Sequence, residues 1–234
     1  MNLSNIISVR FPIIFIILFL TGCKVNLDGD VYIGDIIDVA ETQEQLFNPM
    51  DISFEMSSVS ACEDDKEKLS NILNKYFTNF NAKECYSEDF NAFLKTGFNI
   101  PVILDLEQNG EFENSQNDLI SLTIVSVKME TGYRYDVYLV LNRMMFNSLN
   151  AEIYDEFFQK VELDDAKIKL SINNDGRETE KISFASAFVN GEPAVFYSTY
   201  DLERRQKLDY IGSDVTRASF DKYGHAYIMS VNKF

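Results

Sequence analysis

One histidine, three cysteines and no tryptophan leave this 234-residue chain poor in the side chains around which metal and thiol sites are built. The lone His225 cannot form a histidine-rich metal site, and no Cys/His cluster accompanies it. It reads as a structural histidine in a Tyr223-Gly224-His225 turn. No CxxC pair occurs, which removes the thiol oxidoreductase motif. No GxSxG is present to make a nucleophile elbow, and no glycine-rich loop follows a strand pattern to cradle phosphate. Cations are scarce too: 21 Lys and Arg face 37 Asp and Glu, a net charge of −16. That balance repels nucleic acid. The tightest basic cluster, Arg204, Arg205 and Lys207, lies beside Asp201, Glu203 and Asp209 and reads as the solvated face of a helix over 202–211.

What the chain does have begins at its amino end. No acid occurs through Gly22, and the positive charges there are the Met1 amine and Arg10. Phe11 to Leu20 reads FPIIFIILFL. A membrane-spanning helix needs about 20 apolar residues, so this run is too short. It matches the apolar core of a secretory signal peptide, and Pro12 argues against a buried helix. The four residues that follow, Leu20-Thr21-Gly22-Cys23, resemble the lipobox of bacterial lipoproteins. The resemblance implies that residues 1–22 are a signal peptide cut before Cys23. It implies that the Cys23 thiol receives a diacylglycerol and holds the chain to a membrane, each buried methylene contributing about 0.8 kcal/mol. A thiol suits that transfer because its thiolate is a strong nucleophile. Lys24 stands where Asp would favour inner-membrane retention, which implies an outer-membrane anchor facing the periplasm.

Removing residues 1–22 takes away Arg10 and no acid, so 20 cations would face 37 acids, a charge of −17. Apolar residues at 46% and charged residues at 25% are globular values, and about 210 residues can bury a real core. Cys62 and Cys85 remain as an even pair in an oxidising compartment, and are expected to form a disulfide; two buried free thiols are the alternative.

Periodicity organises the rest. Residues 23–30 read as a lipidated tether and 31–234 as an α+β domain, with 31–160 and 161–234 as possible subdomains. Residues 31–40 suit a strand or a short helix equally. Ser60 to Glu63 fits a capping box, and apolar residues from Leu69 to Phe80 recur at helical spacing, so a helix is expected over 61–80. A second is expected over 143–159. Strand patterns occupy 51–59, 99–106, 119–129, 133–141, 166–173, 177–189, 193–200 and 227–231. The expected fold is α+β: mainly antiparallel sheets of hairpins, with two or three helices packed on them.

Asp105, Glu107, Asn109, Gly110 and Glu111 have the alternating spacing of a calcium loop, but Gln116 stands where a bidentate Glu belongs and a strand precedes the loop. A solvated acidic hairpin is the competing reading, so metal ligands and cofactors are not expected. Carboxylates are too numerous for their pairing to mark a glycosidase. The expectation is a non-enzymatic lipoprotein that acts by contact with an envelope protein. A periplasmic module for a small ligand or lipid is the alternative, and a carboxylate-dependent hydrolase ranks last. The general layout resembles uncharacterised lipoproteins found in bacteria and their prophages. That likeness admits a role in excluding competing phage, for which no residue argues.

Overall fold

The computed structural model describes residues 24–106, 112 and 118–233. In chain order the elements are β1 (Val25–Tyr32), α1 (Ile33–Thr42), β2 (Leu46–Met56), α2 (Val59–Leu73), β3 (Thr78–Glu88), β4 (Asn91–Leu104), β5 (Ile120–Lys128) and β6 (Tyr133–Leu141). There follow α3 (Arg143–Phe157), β7 (Lys167–Asn173), β8 (Glu180–Phe184), β9 (Ala187–Val189), β10 (Glu192–Ala194), β11 (Ser198–Leu202), β12 (Lys207–Gly212), α4 (Asp214–Tyr223) and β13 (His225–Lys233).

All thirteen described strands join one sheet, in the order β10-β9-β12-β7-β1-β2-β4-β5-β6-β13-β8-β11, with β3 on the free side of β4. Pairs β1/β7 and β4/β5 are parallel; the others are antiparallel. The sheet curls until it almost closes. Its two ends are tied by short connections: residues 185–186 join β8 to β9, and 195–197 join β10 to β11. Phe184 of β8 bridges this seam from inside. Its ring lies 5.7 Å from that of Tyr200 and 6.0 Å from that of Tyr210 on β12.

This corrects the expected α+β fold of hairpin sheets carrying two or three helices. Half of the structure is strand, in a single barrel-like sheet, and four helices are described. Hairpins arise locally, as β5 and β6 do. The pairs that close the sheet, β1 with β7 and β6 with β13, join segments far apart in the chain. Period-two patterning says which face is apolar but not which edge meets which. Strands from 31–160 and 161–234 therefore interleave in one sheet.

Three local expectations also change. Residues 25–30, part of the expected 23–30 tether, are most of β1. The helix expected over 202–211 is instead the end of β11, a turn and β12, because Leu208 and Tyr210 alternate inward against β7. The helix at 61–80 spans only Val59–Leu73, because Thr78 onward pairs with β4, and Ser58 caps it in place of Ser60, accepting from the Ala61 amide at 3.0 Å.

The helices fill what the sheet leaves open. In α1, Ile33, Ile36 and Val39 are fully buried against β1, β4, β5 and β6. Its first turn is satisfied from afar, since the Asp175 carboxylate accepts from the Gly34 amide at 2.9 Å. Phe146, Leu149 and Ile153 of α3 pack into the opposite end, near Val25 and Phe54. The cavity left there is about 40 Å³ and wholly apolar in its lining, far below the ~150 Å³ that holds a small aromatic molecule.

A polar clasp joins the turn after α2 to α3. Glu152 accepts from the Lys75 ammonium and from the Tyr76 hydroxyl at 2.8 Å. The Lys75 hydrogen bond, followed by that of Tyr76, holds the Glu152 carboxyl below its ordinary range. Burial, more than the bond to Glu152, pushes the Tyr76 phenol up to about 12. Because folding lowers the Glu152 pKa, the clasp contributes stability above the ordinary value of 4.5 and loses it as pH falls through the folded value.

Two measurements follow. Phe184→Ala should cost about 3–5 kcal/mol in denaturant unfolding, the range for emptying a buried aromatic site. Between about pH 6 and pH 3, the melting temperature of the native chain should fall further than that of Glu152→Gln, which has no carboxylate to protonate at this position.

Candidate functional site

The cysteine pair expected from sequence is a disulfide. Cys62 and Cys85 are bonded with Cα atoms 6.0 Å apart, tying the first turn of α2 to β3. Cys62 is fully buried, so the bond fastens an edge strand to the core. Cys23 lies outside the described residues, as do Glu107, Asn109, Gly110 and Glu111. Of the calcium-loop candidates only Asp105 is described, and its backbone amide donates to the Ile124 carbonyl at 2.8 Å. Among the described residues no group of three or more His, Cys, Asp or Glu could hold a metal ion. His225 opens β13, and its ring lies 5.2 Å from Phe112 and 6.2 Å from Tyr223. Arg204, Arg205 and Lys207 do not converge with an acidic helix face; Lys207 pairs with Asp209 of its own strand at 3.7 Å.

The outer face of the sheet carries two polar constellations that the sequence does not announce. The first is a cleft of about 200 Å³ where β3 flanks the outward side chains of β4, β2, β1 and β7. Register builds it: Asp28 stands opposite both Asp51 and Lys169, and Ser53 stands opposite Lys95. Asp51 is its centre, held by the Lys83 ammonium and by Lys95 at 3.1 Å. Hydrogen bonding to Asp51 raises the Lys95 pKa above its ordinary value. Lys83 reaches Asp51 across Gly97. A Cβ at Gly97 would come within 2.8 Å of the Lys83 side chain, so the missing side chain keeps the path open. Tyr86 closes the far wall, its hydroxyl 3.3 Å from Ser53 Oγ. Acids outnumber lysines along the cleft, where Asp28, Asp51, Glu84 and Glu88 face Lys95 and Lys169.

The second lies on β6, β13 and β8. Arg134 grips Asp136 with two bonds, 2.8 Å and 2.9 Å, and Ser230 Oγ donates to Asp136 at 2.5 Å. The Tyr227 hydroxyl stands 2.7 Å from Ser230 Oγ and 3.1 Å from the Ser183 carbonyl, two acceptors for its one proton. Tyr138 and Tyr197 lie edge-on to Tyr227, at 5.8 Å and 6.1 Å. Burial raises the pKa of Tyr227 and Tyr138, and hydrogen bonding to Asp136 raises that of Arg134. The phenols therefore stay protonated at neutral pH, and the guanidinium is taken up by its carboxylate. The arrangement ties β13 to both neighbours. Its one hydroxyl hydrogen-bonded to a carboxylate, that of Ser230, is fully buried, and Asp136 is also gripped by Arg134. Sequence reasoning missed both constellations, because outward polar residues on strands give only alternation until the register is known.

Replacing Cys62 and Cys85 together by Ala should lower unfolding free energy by about 3 kcal/mol in the chain-entropy model, read as a loss in denaturant midpoint. Thiol titration of the native chain, unfolded without reductant, should find neither cysteine reactive.

No curated protein and no solved structure matches the chain. Residues 25–233, from the first residue of β1 to the last of β13, match the model of a domain of unknown function, and the chain belongs to that family, DUF7424.

Proposed function

We propose that the chain is a bacterial lipoprotein held to a membrane through an acylated Cys23, and that its domain acts without catalysis, by contact with an envelope protein. One observation carries the reading: Leu20-Thr21-Gly22-Cys23 ends an apolar run only two residues before Val25 enters β1. A cut before Cys23 leaves the whole family match, residues 25–233, intact. Lys24 at the next position supports the outer membrane, facing the periplasm.

Contact with a protein is supported by the outer face. Its cleft sets a mainly acidic wall beside Lys95 and Lys169, a pattern that selects a partner by charge complementarity. The reading as a small-ligand or lipid-binding module draws no such support. Sites for such ligands run to about 300–1,000 Å³, and the apolar cavity under α3 is about 40 Å³.

In cells, the native chain should incorporate labelled palmitate and appear at the mass of the cleaved, acylated form. Cys23→Ser should remain an unlabelled precursor. Labelling of that variant at the native level would end the lipoprotein reading. Crosslinking of the native chain should capture an envelope protein that is lost in Cys23→Ser.

A further inference from the structure

Residue 24 is clamped to the domain. Its carbonyl accepts from the Glu55 amide at 2.9 Å, its own amide donates to the Glu55 carboxylate at 3.3 Å, and its ammonium pairs with Asp165 at 3.0 Å. Cys23 is one peptide away, a Cα step of about 3.8 Å. No slack separates the proposed acyl group from the sheet. Whatever holds Cys23 at a bilayer brings this end of the barrel to the headgroups.

Register identifies what stands at that end. Val25 pairs with Phe54, which pairs with Leu94; Met56 pairs with Ala92. Phe90, at the tip of the β3–β4 hairpin, lies four residues beyond Leu94. At about 3.3 Å per residue it projects about 13 Å past Val25, on the side of residue 23 and about two strand spacings across. It is fully exposed. Phe158, at the C-cap of α3, is 78% exposed, and its neighbours Phe157 and Gln159 line one cleft with Met56 and Ser57. Val59, three residues after Met56, is also exposed.

Phe158 meets Tyr154 of its own helix edge-on at 6.3 Å, but both rings stand in solvent, so the pair adds nothing to the core. Phe90 has φ +70° and Phe158 φ +56°, left-handed positions that Gly or Asn fills at lower cost. Two strained, solvent-facing phenylalanines beside the anchor point therefore suggest a use outside the folded chain.

We propose that Phe90 and Phe158, with Val59, form a rim that seats in the membrane interface and stands the barrel end-on upon the bilayer. This rests on the lipoprotein reading and adds an orientation to it. The acidic body, at −17 after cleavage, gains nothing from anionic headgroups, so only the aromatic rim and the acyl chains face lipid. Phe47 opens the other end of β2, opposite Pro101, and points away from the membrane.

The chain contains no tryptophan, so Phe90→Trp, Phe158→Trp and Phe47→Trp each create a single fluorophore. The full acylated protein, reconstituted in phosphatidylcholine vesicles containing lipid brominated near the headgroup end of its chains, supplies the readout. Phe90→Trp and Phe158→Trp should lose about half their emission and shift to the blue, while Phe47→Trp should be unaffected. Emission of the first two as unquenched as that of Phe47→Trp, with Cys23 acylated by intact mass, overturns the rim alone. An intact mass showing unmodified Cys23 overturns the rim and the lipoprotein reading together.

Discussion

The parallel pairing of β1 with β7 is the constraint on which the architecture depends. It runs from Asn26 against Lys167 to Tyr32 against Asn173, and places β1 between the two stretches of the sheet. On one side follow β2, β4, β5 and β6; on the other, β12, β9 and β10. Polar contacts lock its far end. Asn173 donates to Asp30 at 2.9 Å, and Asp175 caps Gly34 of α1 across 141 positions of sequence. A parallel pair needs a long crossover, and here the crossover is more than half the chain.

The polar side chains of the outer face have a shared physical logic. A curled sheet leaves its convex side in water, yet Asp136 and Ser230 are almost wholly covered. Covered charge is tolerable only when paired and hydrogen-bonded, and the two-pronged Arg134 grip meets that demand. The lysine pair on Asp51 does the same at lower burial. Such networks tie neighbouring strands together on the outer face.

The proposed anchor and the fold bear on each other through Lys24. A lipoprotein with a long tether can tumble above its membrane. One whose first described residue is bound at backbone and side chain has its orientation largely set. Under the proposed anchoring, the cleft on β1, β2 and β4 would face sideways along the membrane plane.

How much of this was legible beforehand depended on range. The lipobox resemblance is four consecutive residues. The Cys62–Cys85 disulfide followed from an even count in an expected oxidising compartment, and the structure contains it. The β5–β6 hairpin, the alternation of Ile168, Leu170 and Ile172 in β7, and most of α3 followed from periodicity, because these elements answer to their own residues. Boundaries failed where a distant partner took over, as Thr78 did in pairing with Asn99. Residues 25–30 showed no strong pattern because Gly29 and its flanking acids dilute it, yet they form the central strand. The sequence by itself determined which faces are apolar, where short-range turns fall and which cysteines can pair. Only the tertiary structure decided that thirteen strands make one nearly closed sheet, that Asp51 gathers two lysines and that Phe90 and Phe158 flank the anchor, because each depends on which strand edges meet, and pairing energy is nearly indifferent to sequence separation.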